Sequence, residues 1–182
     1  MTAVHENSVH TTYNSTGETA LTVDLNATIN ADDWLLVVIQ DWLNGQTFSA
    51  APTDWAKISN ISHNDDGSGC FQGYELDLAD GTEDGATVDF NVGSSTARWH
   101  AGCSRFSGSA GVDVTGAGSH GFGSSFVSPS VTTTVDDCLI ISVLKTGGIG
   151  SNITAPSGTT SIYNYEMLGD GTSHISIATS VQ

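Results

Sequence analysis

From Thr19 to Ile29 every second residue is apolar: Leu21, Val23, Leu25, Ala27 and Ile29 fall on one side, and Thr22, Asp24, Asn26 and Thr28 on the other. That period predicts a half-buried β-strand. Asn30 to Asp33 marks a turn, and Trp34 to Ile39 is then apolar without a break, as in a strand covered on both faces. Asn44-Gly45 closes it with two residues that tolerate positive φ. Further strands are read at Trp55 to Ser62, Cys70 to Leu78, Thr87 to Val92, Ala97 to Phe106, Phe126 to Thr134, Asp137 to Lys145, Thr159 to Tyr165 and Ser173 to Val181. No stretch joins the i, i+3, i+4 apolar period to helix-forming residues. The pattern predicts an all-β fold of about ten strands, a single β-sandwich of jelly-roll or Greek-key type.

The pattern also repeats. At an offset of 104 residues, Asp32-Asp33 returns as Asp136-Asp137, Leu35 as Leu139, Ala51-Pro52 as Ala155-Pro156, Ile58 as Ile162, Asn60 as Asn164 and Asp66-Gly67 as Asp170-Gly171. Positions 32 to 68 give nine identities in 37 ungapped pairs, against roughly two or three for unrelated segments of this composition. The matched residues are turns, strand starts and a Pro-marked loop, so the repeat predicts two related halves. The first copy runs from about 19 to 106 and the second from 126 to 182, joined by the Gly/Ser-rich stretch 107–125. Trp34 to Ile39 and Leu139 to Val143 are expected at the centre of a shared core. Residues 1–18 read as a polar N-terminal segment, and together with 107–125 they are the candidate interface.

Charge narrows the partners. Four Lys and Arg stand against 20 Asp and Glu, a formal net charge of −16. The cations Lys57, Arg98, Arg105 and Lys145 are scattered, which disfavours nucleic acid and anionic membrane. Such acidity keeps a protein dispersed in saline surroundings. No apolar run reaches the ~20 residues of a membrane span, and Met1 to Ser8 lacks signal-peptide order. Cys70, Cys103 and Cys138 lack metal-type spacing and read as buried free thiols.

Clustered carboxylates raise the possibility of calcium, with Asp65, Asp66, Asp80, Asp84 and Asp170 as candidate ligands. The same Asp-Gly strings are ordinary turn sequences, and none completes an EF-hand pattern. No cofactor is therefore expected, with Ca²⁺ as the one alternative. The six histidines lack zinc-ligand spacing. Gly-x-Ser-x-Gly and phosphate-loop strings do not occur, so no catalytic residue is assigned. Trp42, Trp55 and Trp99 are the candidates for stacking a sugar ring.

The strand start Asp33-Trp34-Leu35-Leu36, repeated as Asp137-Cys138-Leu139-Ile140, is followed in each copy by a Pro-led element: Pro52-Thr53-Asp54-Trp55 and Pro156-Ser157-Gly158-Thr159. In this the chain resembles duplicated β-sandwich virion structural proteins of tailed bacteriophages, many of them marine, whose Pro-x-Gly-Trp element is here split between the two copies. Ser104-Arg105-Phe106-Ser107-Gly108 looks like the segment that ends the first copy in such proteins. The resemblance implies a non-enzymatic capsid decoration or cement protein on the outer surface of a virion, or a tail or fibre component. It would bind the major capsid protein or other virion proteins, as a homo-oligomer. The alternative is a lectin-like host-recognition module of a fibre or tail tip.

Overall fold

The computed structural model describes residues 3–13, 18–41, 48, 50–65, 69–77, 79–96, 99–116, 129–147, 154–155, 157–166 and 173–181. Ten strands follow one another: β1 (Val4–Tyr13), β2 (Glu18–Asp24), β3 (Trp34–Asp41), β4 (Ala56–Asp65), β5 (Gly69–Leu76), β6 (Thr87–Thr96), β7 (Trp99–Ser107), β8 (Leu139–Gly147), β9 (Thr160–Glu166) and β10 (Ser173–Val181). All pairings are antiparallel, and no helix occurs among the described residues. The all-β expectation holds.

Three sheets form: β1-β7-β3-β5-β4, β8-β10-β9 and β2-β6. The uninterrupted apolar run of β3 is explained by its two neighbours in depth. Leu35, Val37 and Ile39 pack with Leu21 and Val23 of β2 and Phe90 of β6, joined by Tyr74, Leu76 and Trp99. Trp34, Leu36 and Val38 join Ile58, Phe106 and Ile177, with Leu139, Ile141, Val143 and Ile162 packed against them. Because successive side chains of a strand point to opposite faces, the five-stranded sheet is the middle layer, with β2-β6 on one face and β8-β10-β9 on the other.

The strand order β3-β5-β4 and the order β8-β10-β9 correspond one to one. β4 and β9 start 104 residues apart, as do β5 and β10. The ladder pair Ala56↔Glu75 falls on Thr160↔Thr179 at that spacing. The left-handed residues Asp54 (φ 68) and Gly158 (φ 84) also coincide. The first strands do not obey it. β3 starts at Trp34 and β8 at Leu139, 105 apart, and the positive-φ residues Asp32 and Asp137 are also 105 apart. With that shift, Val37↔Tyr74 maps onto Ser142↔Ala178, an observed pair. The ungapped alignment therefore misplaces the first strand by one residue, since the following connection is one residue shorter in the second set. A slip of one flips every side chain to the other face. With the corrected spacing Trp34, Leu36, Val38 and Ile58 correspond to Leu139, Ile141, Val143 and Ile162, and both rows line the same core.

Four expectations are corrected. Residues 4–13, read as part of a polar tail, form β1 and pair along their length with β7. The strand read at 126–134 is absent from 129–134; 126–128 lie outside the described residues. The strand read from 19 to 29 ends at Asp24, although Leu25 and Ile29 remain buried under the loop that follows. Leu139 to Val143 is only half-buried, whereas Leu35 to Ile39 is fully buried, because β8 lies in an outer layer.

Candidate functional site

An array of polar side chains sits where the loop after β2 meets the acidic loop before β6. Backbone bonds zip the two loops together: Leu25 N to Ala86 O at 2.9 Å, Gly85 N to Asn26 O at 3.1 Å, Asp32 N to Ala79 O and Ala79 N to Asp33 O, both at 2.8 Å. Asp84 accepts through one oxygen from the amides of Thr28 and Ile29, the latter at 3.1 Å. This holds Thr28 at φ 71, a left-handed conformation that a β-branched residue does not adopt unaided. Asp80 accepts from the Thr82 amide at 2.8 Å and its hydroxyl at 2.6 Å. Those bonds lower the Asp80 pKa below the usual carboxylate range.

Beneath the loops lies an ion pair. Arg105 Nε of β7 donates to Asp33 Oδ2 at 2.6 Å, and the two side chains are 10% and 5% exposed. The same oxygen accepts the Asn30 amide at 2.7 Å, which closes the turn into β3. Asn26, also buried, donates to the Cys103 carbonyl at 3.1 Å. The pair therefore ties a loop to the middle sheet, and the carboxylates above it are occupied by amides.

These contacts engage two of the calcium candidates. Asp80 and Asp84 serve as turn acceptors; Asp65 ends β4, paired with Gly69. Asp66 and Asp170 lie outside the described residues. Among the described residues no three His, Cys, Asp or Glu side chains are grouped to hold a metal ion.

The tryptophans are corrected. Trp99 is 1% exposed and Trp55 8%. Trp55 lies edge-on to Phe90 with centroids 5.4 Å apart. Neither ring offers a face to a sugar, because both are packed in the core cluster beneath β2 and β6. Trp42 lies outside the described residues. Cys103 is buried as expected, and burial pushes its thiol up to about 12. Cys138 is only half-buried, and the Cys70 position lies in β5.

Of the two candidate interface segments, 107–116 is tied back by Asp113, which accepts the Thr134 amide at 2.7 Å. Val112 and Val135, on either side of that tie, are exposed; 117–125 lie outside the described residues. The other segment carries a constellation the sequence reading did not find. His5 Nε2 and Ser8 Oγ are 2.9 Å apart, and Ser8 Oγ is 2.8 Å from Ser104 Oγ of β7, which is fully buried. The His5 ring meets Phe106 edge-on at 5.5 Å, and Ser107 donates to Glu6 at 2.5 Å. The chain of hydroxyls runs inward from the strand into the sheet, so it fastens β1. Among the described side chains of β1, Val9 is the apolar one packed against the core, and it sets no apolar period along the strand.

Family models, curated proteins and solved structures all lack a match to this chain.

Proposed function

We propose that the chain is a non-catalytic virion structural protein, a capsid decoration or cement protein of a tailed bacteriophage, built from two related halves in Greek-key fashion. One observation carries this reading: β3-β5-β4 and β8-β10-β9 correspond in order and register and meet through corresponding faces. That agrees with the duplicated sandwiches the sequence resembles. The crossing from β3 to β4 past β5, repeated from β8 to β9 past β10, supports the Greek-key class. The polar side chains at the loop junction hold backbone in place, a scaffold's use of charge. Binding would rest on surface complementarity, and a protein that binds only the assembled shell stabilises it by mass action.

The test is to add the purified chain to capsids of the encoding phage assembled without it, and to measure bound copies by sedimentation and cryo-electron microscopy. Saturable binding at fixed sites on the shell, with a raised disruption temperature, is the expected result. Absence of the chain from purified virions by mass spectrometry would overturn the proposal. The lectin-like alternative gains no support, since two of its three rings are buried.

A further inference from the structure

The strand sets β3-β5-β4 and β8-β10-β9 correspond in order and register, but their flanking strands do not. β3 carries β7 along its second edge, antiparallel from Trp34↔Phe106 to Asp41↔Trp99. β8, its counterpart at a spacing of 105, pairs among the described strands with β10 alone. That ladder runs from Leu139↔Val181 to Gly147↔Ser173 without an irregularity. Edge strands are ordinarily blunted by charge, proline or a bulge, because their unpaired amides and carbonyls template another strand. The run Leu139 to Leu144 has none of the three, and it is half-buried throughout. Its outward positions are apolar as well. Leu35 and Ile39, sealed under β2-β6, fall at Ile140 and Leu144.

β7 shows what fits such an edge. Ser104 stands opposite Leu36 and Gly102 opposite Val38, the counterparts of Ile141 and Val143, so the fitting strand carries small side chains there. Near the C-terminal end of β7, Arg105 stands opposite Leu35 and reaches Asp33 at 2.6 Å. At the counterpart of Asp33 the second set has Cys138, and Asp136 and Asp137 just before it are exposed. An antiparallel strand laid on β8 brings its C-terminal end toward those carboxylates, as β7 brings Arg105 to Asp33. In a chain with a formal net charge of −16, a cation at that end is the complementary choice.

We propose that the second edge of β8 is a docking site for an extended segment of another protein. The segment adds antiparallel as a fourth strand of β8-β10-β9, with small or apolar side chains facing Leu139, Ile141 and Val143 and an Arg or Lys near its C-terminal end facing Asp136 and Asp137. Main-chain bonds supply the affinity, and the alternate side chains with the terminal cation supply the selection. The inference rests on the correspondence of the two strand sets and holds whether or not the partner is a virion protein.

Amide hydrogen exchange on the full chain, followed residue by residue by NMR, tests the edge. In the free protein the alternate β8 amides that turn away from β10 should exchange faster than those that turn toward it. Equal protection of the two sets would mean that the edge is already filled, and would overturn the proposal. The probe is a capped peptide copying Trp99–Ser107 with Cys103→Ser, since β7 fits the counterpart of β8. At about ten times its Kd it should slow the outward β8 amides roughly tenfold. N-methylating one alternate set of its amides should abolish that effect, and N-methylating the other set should leave it intact. Arg105→Glu in the peptide should weaken binding several-fold, and equal binding would overturn the role given to the two aspartates. A peptide that at about 1 mM leaves β8 unchanged, that slows β3 instead, or whose two N-methylated forms bind alike would refute strand addition.

Discussion

Asp33→Ala tests the claim that the loop junction hangs on one buried ion pair. The substitution removes the carboxylate 2.6 Å from Arg105 Nε and leaves a guanidinium that is 10% exposed without a counter-charge. It also strips the Asn30 amide of its 2.7 Å acceptor. Breaking a buried pair from one side costs about 3–5 kcal/mol, because the surviving ion stays desolvated. For a domain of this size each kcal/mol shifts Tm by roughly 2–4 °C, so the variant should melt about 6–20 °C lower. Arg105→Met in the same chain removes the stranded charge and keeps most of the volume, so the double variant should be more stable than Asp33→Ala alone. Urea unfolding followed by the fluorescence of buried Trp34, Trp55 and Trp99 measures both. A loss below about 1 kcal/mol for Asp33→Ala would place the pair among surface contacts and refute the reasoning. So would a double variant that loses the sum of the two single effects, since no coupling would then exist.

Three further outcomes follow from the same geometry. With Cys70 replaced by Ser, a thiol reagent at pH 8 should modify half-buried Cys138 readily, and Cys103 only after denaturation, since burial holds its thiol near 12. Equal rates in the native protein would contradict the burial. Leu35→Asp should abolish folding in expression and circular dichroism assays, while Leu139→Asp leaves a destabilised but folded chain, because Leu35 is fully buried and Leu139 lies half-buried in an outer layer. Burial lowers the His5 pKa from 6.5; as pH falls below about 6.5 the unfolded chain takes up the proton first, so this contribution is complete above that pH and fades below it. The unfolding midpoint should drop between pH 7 and pH 5 more in the native chain than in His5→Gln, and parallel curves would exclude His5 as the cause.

Much of the fold was legible because alternation and burial are the same fact seen from two sides. The apolar run of Trp34 to Ile39 announced a strand covered on both faces, and the middle position of β3 supplies the reason. β1 escaped for the converse reason: its partners are hydroxyls and a ladder, and a strand held that way writes no apolar period into the sequence. Residues 25–29 were read as strand because Leu25 and Ile29 are buried at strand-like spacing. Backbone bonds to the acidic loop, and not a ladder, put them there.

The repeat shows how identity can mislead where register decides. Asp32-Asp33 and Asp136-Asp137 align without a gap, yet the left-handed residues are Asp32 and Asp137. Backbone conformation, which any turn must satisfy, ranks above the side-chain match. Once the first strands are shifted by one, Asp33 corresponds to Cys138, which cannot supply the carboxylate of the buried ion pair. Arg105 of β7 supplies the cation of that pair, and it also reaches Thr28 in the loop after β2. The candidate carboxylates of the acidic loop fall into place for the same reason. Asp84 is needed because Thr28, whose hydroxyl Arg105 reaches at 3.4 Å, must hold a left-handed turn directly above the pair. Asp84 thus fastens the acidic loop to the loop after β2, and Asp80 closes a turn within the acidic loop.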